Sequence, residues 1–176
     1  MGGILTLSSG SPLSITSWTA TYNQSTNNTP VVLGAFPKDS GEVTRVADGV
    51  VFFNGLGQIS DPALAGITSS VSSASTLKAI VDSNGQLLFV NPSPGKFGTL
   101  GRNYLNGPSS IGLDLNLVKR FAVREGTTVE IRIDAIDALN HPNFGNPTTD
   151  INSTSFGRIT SASGNRVIVG NLRLTF

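Results

Sequence analysis

The sequence predicts an all-β, antiparallel protein: about four strands of a transmembrane β-barrel with long extracellular loops, too few to close on their own. Three observations predict it. Apolar and polar residues alternate with period two through three long segments of the second half. The connections between those segments are short on one side and long on the other, the asymmetry of outer-membrane barrels. No continuous apolar run approaches the roughly 18 residues of a membrane helix, so strands are the elements left to cross a bilayer.

The first strand is expected at about 2–8, where "GGILTL" is short, apolar and β-compatible and "SSGSPLSIT" follows with turn residues. A long loop is expected at about 17–110, rich in Ser, Thr, Asn, Gly and Pro, with apolar islands at "PVVLGAF", "GVVFFNGLG" and "KAIVDSNGQLLFV". In the last island "SNG" reads as a tight hairpin turn. Asp61 before Pro62 is a suitable N-cap for a helical turn or two.

The second strand is expected at about 111–122. Ile111, Leu113, Leu115, Leu117 and Phe121 share one face, interrupted by Lys119, against Gly112, Asp114, Asn116, Val118 and Arg120. "VREGTT" is a short polar turn into a third strand at about 127–138, with Val129, Ile131, Ile133 and Ala135 opposite Glu130, Arg132 and Asp134. At "AIDALNHP" the apolar phase slips by one residue, as a bulge or strand exit produces. A second loop at about 140–165 is polar and carries Gly and Pro. The last strand, about 166–176, sets Ile168, Gly170, Leu172, Leu174 and Phe176 against Val169, Asn171, Arg173 and Thr175. The whole of 1–176 reads as a single barrel segment.

Composition narrows the function. Charged residues are 13% against a usual quarter, and the formal charge is +1, so no nucleic-acid footprint is present and no basic cluster marks a membrane anchor. With no cysteine, disulfides, thiolate nucleophiles and sulfur-ligated metals are excluded. No signal-peptide pattern opens the chain.

The blocks "NPSPGKFGTLGRNYLNGPSSIGLDLNLVKRF", "REGTTVEIRIDAIDALNHPNFGNP", "INSTSFGRIT" and "NRVIVGNLRLTF", in that order, resemble the C-terminal end of TonB-dependent outer-membrane receptors. The resemblance is to the Oar-like subgroup that carries an N-terminal carboxypeptidase-regulatory-like domain and is familiar from Acidobacteria. It covers nearly the whole chain and is specific from Asn91 onward. It implies the last four strands of a 22-stranded barrel in the Gram-negative outer membrane, whose plug domain and TonB contact lie in a missing N-terminal part. It also implies uptake of a scarce ligand by the complete receptor, and no transport by this piece alone. The partners implied are outer-membrane lipid, the rest of the receptor, TonB, and the barrel-assembly machinery, which would read Phe176 with Leu174 and Leu172 as its signal. Asp114, Asn116, Glu130, Arg132, Asp134 and Arg173 would face the lumen.

Candidate chemistry is sparse. Ser75 and Lys78 form an S-x-x-K pair, but no S-D-N or K-T-G accompanies it. His141 is the sole histidine and has neither metal co-ligands nor a nucleophile nearby in sequence. Asp134 and Asp137 make a conceivable carboxylate pair, for which a lumen charge and a strand exit are the simpler accounts. Arg102, Arg132, Arg158 and Arg173 are candidates to line a lumen, and Phe144 and Phe156 to pack the loops. No enzyme, cofactor or metal site is expected. The alternative is a secreted or surface-exposed β-module that is structural or self-associating.

Overall fold

The structure, a computed structural model, describes residues 1–18, 28–37, 40–62, 77–93 and 95–176. Every regular element among them is a β-strand: β1 (Gly2–Ser8), β2 (Pro12–Leu13), β3 (Val31–Val32), β4 (Thr44–Val46), β5 (Gly49–Val51), β6 (Gly57–Ser60), β7 (Lys78–Val81), β8 (Leu87–Val90), β9 (Leu105–Asn106), β10 (Ser110–Arg124), β11 (Thr127–Ile136), β12 (Asn143–Phe144), β13 (Arg158–Ile159), β14 (Ala162–Ser163) and β15 (Val167–Thr175). They fall into two compact units.

The sheet unit comprises Met1–Ser9, Ser109–Phe144 and Ala162–Phe176. Its long strands lie in the order β1-β10-β11-β15, all neighbours antiparallel, with the outer edges of β1 and β15 open. Among the described residues the sheet is therefore open rather than closed on itself. β10 and β11 are joined through Gly126, whose φ of +77° is open to glycine without a Cβ clash. Just before that turn the register slips between Ala122 and Arg124, the irregularity of a bulge. At the other end β11 stops where Asp137 and Asn140 adopt positive φ. There the Ala138 N–H donates to the Leu113 carbonyl at 2.7 Å. Asn143 then stands in for a strand: its Oδ1 accepts from the Ile111 N–H and its Nδ2 donates to the Ile111 carbonyl. β12 pairs with β14 beside it.

The loop unit comprises Gly10–Pro108 and Gly145–Ser161. Where the sequence reads loop, the described residues hold short strands around a core. One sheet runs β3-β8-β7-β6, a second β13-β5-β4, and β2 pairs with β9. The β7–β8 hairpin forms because Asp82 Oδ1 accepts the N–H groups of Asn84 and Gln86, while Gly85 takes φ +79°. The apolar islands are the core: Phe52, Phe53, Ala79, Ile80, Leu88 and Phe89 are buried with Ile15 and Ile151. Phe53 stacks on Phe156 at 5.1 Å, and Phe36 bridges Phe53, Phe89 and Tyr104.

A buried polar cluster ties this unit together. The Asn91 side-chain oxygen accepts from Ser17 Oγ at 2.7 Å and Asn152 Nδ2 at 2.8 Å. Its Nδ2 donates to Asp61 Oδ2 and to the Lys78 carbonyl. Asn91 thereby uses its acceptor and donor capacity to hold four distant segments, as buried amides must. The helical turns expected after Asp61 fall mostly on residues 63–76, outside the described residues.

Candidate membrane-spanning surfaces

Register across the sheet unit sorts its side chains onto two faces. Directly opposite residues in antiparallel strands share a face, so the rows Leu5–Leu113, Leu117–Ile133–Gly170, Phe121–Val129–Leu174 and Lys119–Ile131–Leu172 lie on one side. Leu115, Ala135 and Ile168 continue it. Lys119 is the one charged side chain among these, and its Nζ lies 5.8 Å from the Phe121 ring centroid. That side chain sits on the turn half of β10, where a lysine can reach an interface with its stem along apolar neighbours.

Among the described residues no side chain of this apolar face is buried. Among the described residues, every buried hydrophobic side chain belongs to the loop unit and none to the sheet unit. Leu172 is 73% exposed, Leu174 57% and Ile133 43%. Burying one such side chain is worth about 1.5–3 kcal/mol. An exposed apolar face spread over four strands marks a membrane or protein contact. The strand lengths fit the same reading, since β11 has 10 residues and β15 has 9, and tilted membrane strands take about 9–11.

The opposite face is polar. It carries the rows Arg120–Glu130–Arg173, Val118–Arg132–Asn171 and Gly2–Asn116–Asp134–Val169, with Asp114 opposite Ile4, and gives way at the strand exit to the apolar pair Ile136–Val167. Arg120 Nε meets Glu130 at 2.5 Å, and Arg132 Nε meets Asp134 at 2.8 Å. Asp114 Oδ1 accepts the N–H of Asp137 at 2.9 Å, which pins the strand exit. All six polar candidates from the sequence, Asp114, Asn116, Glu130, Arg132, Asp134 and Arg173, therefore share one face. Phe176, Leu174 and Leu172 belong to edge strand β15 and its end, with Phe176 93% exposed.

Other candidates separate. Arg158 and Arg102 lie in the loop unit, so of the four arginines only Arg132 and Arg173 are on the sheet. Arg158 is ion-paired with Asp48, and the guanidinium holds the Asp48 carboxyl below the usual carboxylate range. Asp134 is engaged by Arg132, while Asp137 is buried and neither of its carboxylate oxygens has a hydrogen-bond partner among the described residues. The two do not act as a pair. Ser75 lies outside the described residues, and Lys78 opens β7 with its N–H on Asn152 Oδ1. His141 lines an open depression of about 470 Å³ with Leu7, Ile111, Ser8, Ser9, Ser109 and Ser110. Sequence spacing hid that grouping because the serines come from the end of β1 and the start of β10, which are far apart in the chain but paired in the sheet. No group of three or more His, Cys, Asp or Glu suited to a metal occurs among the described residues.

No curated protein and no solved structure matches the chain. A family model described as an outer membrane beta barrel domain matches residues 1–169, which include both faces and the loops between them. With one face largely apolar and unburied, the opposite face carrying Arg120, Glu130, Arg132, Asp134 and Arg173, and β11 and β15 of bilayer length, the chain belongs to the outer membrane beta barrel domain family.

Proposed function

We propose that this chain is the C-terminal barrel segment of a TonB-dependent outer-membrane receptor that takes up a scarce ligand, and that it does not transport alone. The observation that carries the reading is the register, which collects most of the large apolar side chains of four strands on one face and Asp114, Arg120, Glu130, Arg132, Asp134 and Arg173 on the other. In this reading the apolar face meets outer-membrane lipid, and Asp114, Asn116, Glu130, Arg132, Asp134 and Arg173 line the lumen. The ordered sequence blocks from Asn91 onward support the receptor subgroup. The open edges of β1 and β15 support incompleteness, because unpaired backbone groups in hydrocarbon cost several kcal/mol each. Further strands and a plug come from the rest of the receptor, which also supplies the TonB contact. The barrel-assembly machinery reads Leu172, Leu174 and Phe176. The segment is non-enzymatic and needs no cofactor.

Two measurements test this. Sequencing the DNA upstream of the Met1 codon should show an in-frame continuation into alternating strands and a plug. Extraction of the chain from cell envelopes should require detergent. A stop codon and ribosome site immediately upstream, with release into buffer without detergent, would replace the reading by a secreted or surface β-module.

A further inference from the structure

The outer edge of β15 carries an electrostatic instruction. Across the polar face, the row Arg120–Glu130–Arg173 alternates positive, negative, positive over three successive strands. Glu130 sits between two arginines and gives its ion pair to Arg120. Arg132, one row away, is engaged by Asp134 of its own strand. Among the described residues Arg173 makes no ion pair, standing opposite a Glu130 already bonded to Arg120, and its strand has no neighbour on the other side.

Resting on the reading of this sheet as part of a larger barrel, we propose that the β15 edge is the docking surface for a distinct β-strand with an Asp or Glu in register with Arg173. Opposite charges directly across strands are stabilising and like charges destabilising, so the next member of the row is an acid. The partner strand runs antiparallel to β15 and places apolar side chains beside Leu172 and Leu174, keeping the apolar face continuous. A second copy of this chain does not fit. The polar face of its open strand β1 offers Gly2, Ile4, Thr6 and Ser8, with no carboxylate. Pairing β1 of one copy with β15 of another would give Arg173 no acid on its open side. The acidic strand therefore comes from elsewhere in the barrel, and the charge fixes its register where backbone pairing alone would allow slippage.

The test uses the full chain in zwitterionic detergent micelles and labelled nine-residue peptides of alternating apolar and polar residues. The third residue, opposite Arg173 in an antiparallel pairing with β15, is Glu, Ala or Lys. Fluorescence anisotropy should show the Glu peptide binding about fivefold tighter than the Ala peptide, with the Lys peptide weaker than both. In Arg173→Glu the order of the Glu and Lys peptides should reverse. Equal affinity for all three peptides, or an order that survives Arg173→Glu, overturns the acidic-strand assignment. Failure of every peptide to bind a chain that still requires detergent overturns the docking edge and leaves the membrane reading standing. A chain that stays soluble without detergent overturns both.

Discussion

Ile133→Lys against Asn116→Lys tests the two-faced sheet directly. Ile133 lies in the row Leu117–Ile133–Gly170 on the apolar face. Asn116 lies one row away, opposite Asp134, on the polar face. Successive rows differ in depth by only about 3.4 Å along the strand, so the two lysines probe nearly the same level of the bilayer. A lysine on the lipid side of a barrel costs about 2–4 kcal/mol at the midplane and about 0–1 near the interfaces. Ile133 sits toward the middle of β11, so the larger range applies, and the expected loss in vesicle partitioning is roughly 30- to 900-fold. Asn116→Lys instead gains a carboxylate neighbour in Asp134 and should change partitioning by less than about threefold. The assay is flotation of each variant with phosphatidylcholine vesicles, quantified as bound over free chain. Equal losses in both variants would refute the assignment, because they would mean that both faces meet the same environment.

Further predictions concern the loop unit and the strand exit. Asn91→Ala removes the amide that joins Ser17, Asp61, Lys78 and Asn152; it should destabilise that unit by about 2–4 kcal/mol, read as faster limited proteolysis within residues 10–108. Asp137→Asn keeps the shape of a buried side chain whose oxygens have no hydrogen-bond partner among the described residues and exchanges one of them for an amide donor; a higher unfolding midpoint is expected, and a fall of more than about 1 kcal/mol would show that the carboxyl oxygens are satisfied. For Asp48 the sign follows from a folded-state pKa held below the unfolded one by Arg158. The pair stabilises above the ordinary Asp value of about 4 and loses that contribution as pH falls through the lowered value. Arg158→Gln should flatten this acid-side dependence in a pH series of thermal melts.

Legibility in the sequence tracked strand length. β10 and β11 are 15 and 10 residues long, enough for period two to stand out, and their alternation places Asp114, Glu130 and Arg132 on one face before any coordinates are known. The strands inside 17–110 are two to four residues long, shorter than a periodicity test can register. Their segments look like apolar islands in a loop, and only packing reveals Phe52, Ile80 and Phe89 as one core. The role of Asn91 was equally silent, since a buried hub differs from a surface asparagine only in what surrounds it.

Residue patterning alone makes the chain all-β and settles which side chains share a face along each long strand and that one of those faces is largely apolar. Those are local properties, set by the two-residue repeat of an extended backbone. Tertiary structure decided which strands are neighbours, and with that the row in which Glu130 lies between Arg120 and Arg173. It also decided that the described residues of the long loop form a compact unit with Gly145–Ser161, and that among the described residues the β1 and β15 edges are open. Pairing joins residues far apart in the chain, such as Leu5 with Leu113, and the energy that selects one register over another comes from side chains that meet only once the strands are side by side.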